Sequence, residues 1–326
     1  MPMNSNQRLV HLDILRVLAT FAVIFLHVST VEFHSCPFTR NWYIATVGDS
    51  LVRWCVPVFV MISGAIFLHP GKEISIRSLF VKYIPRLLLC YVFWTIVYYF
   101  LFSYQGSFSI TKLLKSHFHL WFLRMLICVY VLIPALRSLV RDNKILGYCL
   151  VIWILYMIGS FMNLYEVFKM NVIVGFSGYF LLGYYLSQPL SKKQRICIVL
   201  FGGVGAIVTI LGTFFITNKY SAADERYFDN LSIQVAAMSA AVFVSVKALT
   251  SKCGKMILRI VEWVRKDLLG IYLTHALWLP ILNTETIRHC CSELFTLPII
   301  TVIVFLLSLF TTKLIRLVPG LRKVVE

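Results

Sequence analysis

Apolar runs of about twenty residues recur along the chain between short polar breaks, each run near the length of a helix that crosses hydrocarbon. The pattern predicts ten spans, at 10–28, 49–69, 85–104, 119–139, 146–163, 171–187, 196–217, 229–249, 268–283 and 296–316. No stretch remains for a soluble domain, so the expectation is one all-α polytopic membrane domain over 1–326. Asp13 and Arg16 interrupt the start of the first run, and no small-x-small cleavage site follows His27. These features predict an uncleaved helix rather than a signal peptide. No fixed-period repeat is visible, nor a matching pair of interrupted helices in the two halves, which counts against an alternating-access transporter. Segment 251–267 mixes bases with apolar residues at helical spacing and predicts a helix lying on the membrane surface.

Composition agrees: 59% of the 326 residues are hydrophobic and 14% are charged, against about 25% charged in a soluble domain. The net charge of +17 would suggest nucleic acid in a soluble protein, so the distribution of the bases decides its meaning. With the N-terminus in the cytoplasm, most bases fall inside: Lys72, Arg77, Lys82, Arg86, Arg137, Arg141, Lys144, Lys192, Lys193, Arg195, Lys247, Lys252, Lys255, Arg259, Arg265, Lys266, Lys313, Arg316, Arg322 and Lys323. The outer loops keep few bases, mostly beside acids. The excess therefore reads as membrane topology, and no nucleic-acid partner is expected. Nine cysteines show no metal-ligand spacing, so no metal is expected; Cys36 and either Cys290 or Cys291 fall where a disulfide is chemically available.

Polar residues inside the spans carry the candidate chemistry. Eleven steps separate Arg16 from His27, which is three turns plus roughly 20° and a rise of about 16 Å. Both side chains therefore share one helix face, and Asp13 joins it three residues before Arg16, placed to pair with it. Each residue alone is explained as an interfacial anchor, but the shared stripe points to a watery cavity reaching both sides. In the second span, Arg53 stands near the outer boundary and Ser63-Gly64 toward the inner half, also eleven apart; small-residue packing explains the latter pair equally well. The fourth span opens with His117, His119 and the belt residue Trp121, with Arg124 about a turn deeper. The ninth carries His275 near its middle, where a packing histidine is the ordinary explanation. Arg77, Lys82 and Arg86 precede the third span, as topology alone requires, or as a landing site for phosphates.

Taken together these segments resemble the acyltransferase 3 family of integral membrane acyltransferases, in the branch of the enterobacterial common antigen O-acetyltransferase. The family pattern Asp-x-x-Arg followed by His matches Asp13, Arg16 and His27, and "VPVFVMISG" (56–64), "HLWF" (119–122), "FLLGYYL" (180–186) and "GIYLTHALWL" (270–279) match later segments. Tyr83 and Pro85 depart from the Arg-x-x-Arg pair of many relatives. The resemblance implies acyl transfer from a cytoplasmic acyl-CoA, with acetyl-CoA expected, to a hydroxyl of an extracytoplasmic glycan or lipid-linked sugar at the bacterial inner membrane. It implies His27 as general base with Arg16 and Asp13, and Arg77, Lys82, Arg86, Ser63 and Gly64 toward the donor. Arg53, His119, Trp121, Arg124, Tyr272 and His275 fall toward the acceptor or the oxyanion. Ser63 as a nucleophile is a weaker alternative, and the competing class is an exporter of a polar or glycolipid substrate. Residue spacing is silent on oligomeric state.

Overall fold

A computed structural model describes residues 10–35, 37–104, 106, 108–115, 117–162, 171–284, 287 and 292–326. The described residues contain helices and no strands. In chain order they are α1 (Val10–Phe33), α2 (Arg40–Val52), α3 (Cys55–Phe67), α4 (Ile76–Ser103), α5 (Ile110–Lys115), α6 (Trp121–Val131), α7 (Ile133–Leu139), α8 (Asn143–Phe161), α9 (Ile173–Ser187), α10 (Lys192–Tyr220), α11 (Ile233–Leu249), α12 (Lys255–Val264), α13 (Leu268–Leu282) and α14 (Glu293–Leu317), followed by the short turn Leu321–Val324.

Among the described residues, seven helical runs are long and apolar enough to cross a membrane, and the bent pair α6–α7 is an eighth if counted as one span. The shorter apolar helices α9 and α13 coincide with the sixth and ninth predicted spans. The second run differs most from expectation. It begins at Arg40 rather than at 49, because the Thr39 side chain accepts a hydrogen bond from the Trp42 N–H and starts a helix where the pattern suggested a loop. Trp42 is fully buried and its indole donates to the Phe33 carbonyl at 3.0 Å, which pins α2 to the end of α1. The 57° bend between α6 and α7 falls at Leu132, just before Pro134, whose ring cannot follow a straight helix. The proposed pairing of Cys36 with Cys290 or Cys291 falls outside the described residues.

The centre of the molecule is set by close helix contacts. α3 runs along α9 with the backbones touching: a Cβ on Gly64 would lie 1.9 Å from the Phe180 carbonyl oxygen, and one on Gly183 would lie 2.0 Å from that of Met61. Small residues bring helices this near in a membrane, where dispersion rather than water expulsion holds them. α1 packs on α2, α3, α13 and α14, so the predicted Arg16–His27 stripe is surrounded by protein. α12 leaves Met256, Ile257, Ile260 and Trp263 exposed along one apolar face beside its bases, which is the amphipathic pattern that the sequence predicts for 251–267. Overpacking a close-packed contact costs about 1–3 kcal/mol. Gly64→Ala and Gly183→Ala are each expected to lower the thermal unfolding temperature in detergent, whereas Gly203→Ala, where an added Cβ meets open space, should not.

Candidate active site

The α1 stripe opens onto two cavities, one at each end. Arg16, near the start of α1, lines a cavity of about 480 Å³, and His27, near its other end, lines one of about 600 Å³. The predicted pair forms: Arg16 Nη1 donates to Asp13 Oδ1 at 2.9 Å, and Asp13 is only 6% exposed.

The Arg16 cavity is strongly basic. Arg86, Arg265, Lys266, Arg316 and Arg322 join Arg16 on its wall, against the single acid Glu326. Glu326 sits among them at the end of a strap that crosses α4. Trp94 Nε1 donates to the Val324 carbonyl at 2.9 Å, and the Arg86 side chain donates to the Glu326 carbonyl at 2.5 Å. The Glu326 carboxylate lies 2.7 Å from Arg322 and 3.0 Å from Arg316. Burial alone would raise this carboxyl, but the adjoining arginines outweigh it and hold it below the usual carboxylate range. Arg316 is also fixed by the buried Asp267 at the start of α13, which Lys313 approaches at 3.1 Å. The chamber thus holds more cations than its acids neutralise and suits an anion with several phosphates.

The second cavity carries the histidines. His27 stacks on His275 at 5.3 Å between ring centroids and meets the edge of Phe118 at 4.8 Å. His275 is fully buried, and its Nδ1 donates to the Tyr272 carbonyl at 2.6 Å. A carbonyl can only accept, so in the neutral ring Nε2 is left with its lone pair, and it has no hydrogen-bond partner among the described residues. His119 lies 5.0 Å from His275, and its Nδ1 is 3.1 Å from His117 Nδ1. Burial pushes the His117 imidazole, in the loop ahead of α6, down to about 4, so this contact joins a neutral ring's donor or lone pair to its neighbour. Across the cavity, Arg53 is held by the buried Asp49 at 2.5 Å and lies 3.8 Å over the Phe228 ring. A largely buried pair of this kind fixes the guanidinium in one direction.

A family model described as an acyltransferase domain, acyltransferase 3, matches residues 9–315. The chain belongs to that family. No curated protein and no solved structure matches it. The protein is therefore a multi-pass membrane acyltransferase, which decides against the exporter alternative, and it uses an acyl donor and an acceptor.

The structure gathers part of the predicted constellation. Arg16, Ser63 and Arg86 meet at the basic cavity, with Asp13 behind Arg16, and His27, Arg53, His119 and Trp121 meet at the other; His275 stacks behind His27. Tyr272 lines both. Other predicted positions lie elsewhere. Arg77 and Lys82 are exposed and line neither cavity. Gly64 is a packing residue against α9, and Arg124 is exposed, 6.0 Å from the Tyr91 ring, and lines neither cavity. Ser63 donates to the Phe59 carbonyl, and among the described residues no histidine lines its cavity to make it a nucleophile. Arg265, Lys266, Arg316 and Arg322 were legible only as positive-inside charge, and Phe59 and Phe122 only as members of the quoted motifs. None of these spacings shows convergence. Because Glu326 occupies two of the chamber's arginines, Glu326→Gln is expected to tighten binding of inorganic pyrophosphate several-fold in calorimetry. Unchanged affinity would mean that the arginines do not bind anions in this chamber.

Proposed function

We propose that the protein is an O-acyltransferase of the bacterial cytoplasmic membrane, moving an acetyl group from acetyl-CoA to a hydroxyl of a surface glycan or lipid-linked sugar. The observation that carries this reading is the pairing of a polycationic chamber with a histidine chamber at the two ends of one helix. Positive-inside bias puts the polycationic end, and the N-terminus with it, in the cytoplasm. Arg86, Arg265, Lys266, Arg316 and Arg322 hold the CoA phosphates there, and the pantetheine arm extends past Arg16 toward the other chamber.

The acceptor hydroxyl enters from the opposite side, between His27 and Arg53. His27 takes its proton as the oxygen attacks the thioester carbonyl carbon, giving a tetrahedral oxyanion. On collapse the carbon–sulfur bond breaks, the ester forms, and the proton on His27 passes to the departing thiolate. Arg53, held rigid by Asp49, supplies fixed positive charge for the oxyanion or the sugar. His275, stacked on His27 and fixed by the Tyr272 carbonyl, holds the His27 ring in place. No covalent acyl-enzyme is needed, in keeping with a Ser63 cavity that no histidine lines among the described residues.

Purified protein in liposomes, given radiolabelled acetyl-CoA and lipid-linked glycans, is expected to yield labelled glycan and free CoA. His27→Ala should abolish transfer with membrane insertion intact; a fully active His27→Ala enzyme overturns the assignment. A phosphate contact to a charged side chain is worth about 1.5–3 kcal/mol. Arg316→Gln should therefore raise the KM for acetyl-CoA by about tenfold or more, with a smaller effect on kcat.

A further inference from the structure

Three aromatic side chains, Phe59 on α3, Phe122 on α6 and Tyr272 on α13, line both cavities, and no other described residue does. The two chambers therefore meet at a neck built from three separate helices. The Phe59 and Phe122 rings are 5.8 Å apart at 55°, and Phe122 and Tyr272 are 5.7 Å apart at 65°. Tilted rings at that separation are in edge-to-face contact, so Phe122 bridges the other two and leaves little free width.

The walls of the neck are unequal. Tyr272 is buried, its hydroxyl donates to the His119 carbonyl, and its own carbonyl accepts from His275. Moving this ring would break its hydrogen bond to the backbone beside His119. Phe59 and Phe122 are only half-buried and have no polar anchor on their rings. They are the adjustable side of the constriction, with Tyr272 as its fixed side.

We propose that Phe59 and Phe122 set the length of acyl group that the enzyme transfers. The inference rests on the acyl-CoA reading above, because it requires the donor's phosphates in the basic chamber. His27 opens only onto the other chamber, so the thioester carbonyl comes within its reach only at the neck. The acyl chain must then sit among the three rings. A single methyl group fits against their edges, while each further methylene has to displace a phenyl ring from its packed position. Discrimination of this kind arises from lost ring contacts and resembles the one-methylene selectivity of apolar pockets, about 10–200-fold per step.

The test compares acetyl-, propionyl-, butyryl- and hexanoyl-CoA in the liposome assay, reading released CoA thiol and labelled glycan. Each variant is scored by the ratio of kcat/KM for butyryl to that for acetyl donor, so that changes in expression cancel. Phe122→Ala and Phe59→Ala are expected to raise this ratio at least tenfold over the wild type, and Phe122→Trp to lower it. Phe122→Leu, a milder truncation, provides the same reading if the alanine variant does not fold. An unchanged ratio in folded, active Phe122 and Phe59 variants overturns the neck as selector while leaving acyl-CoA transfer standing. Failure of wild-type protein to use any acyl-CoA donor overturns the underlying reading, and the neck's role with it.

Discussion

The cost of holding charge away from water governs this molecule. An ionised group among apolar helices is tolerated only where protein partners or a wet cavity replace its lost hydration. The observed arrangement follows residue by residue: Asp13 steadies Arg16, Asp49 and the Phe228 ring hold Arg53, and Asp267 gathers Lys313 and Arg316. Each acid fixes the direction of a cation as well as balancing it. Around the basic chamber this compensation is incomplete, since Glu326 is the one acid on a wall with six cations. The surplus positive charge is what makes the chamber receptive to a polyanion.

The same economy shapes the opposite chamber, where imidazoles gather beside Arg53, whose charge Asp49 matches. His275 spends its Nδ1 proton on the Tyr272 carbonyl and so presents a lone pair at Nε2 in its neutral form. A neutral ring is far cheaper to bury than a permanent ion. Between the chambers, Tyr272 ties its hydroxyl to the backbone of His119, so one residue belongs to the neck and also to the histidine cluster.

Much of the fold was legible because its signals are local. Runs of apolar residues mark the helices, and every predicted span coincides with a helix or a bent helix pair. The face shared by Asp13, Arg16 and His27 follows from helical periodicity alone. The start of the second span was misplaced because a capping threonine and a buried tryptophan extend the helix through a segment of ordinary loop composition. Arg124 was overvalued for a related reason. Depth along a span can be read from position, but which side of the helix meets lipid depends on its neighbours.

The sequence by itself determined a helical membrane protein, the polar stripe on its first helix and, through its ordered motifs, the acyltransferase family. Only the tertiary structure decided which cations meet: Arg86, Arg265 and Arg316 are scattered across the chain yet share one wall, while the nearby Arg77 does not join them. It also decided that Phe59, Phe122 and Tyr272 form a neck between two chambers rather than three unrelated core contacts. The division has a physical cause. Periodicity and hydropathy act over a few neighbouring residues and survive in the one-dimensional pattern, whereas a site is made by helix packing, through contacts such as Gly64 on Phe180, between positions whose separation in sequence carries no trace of their approach.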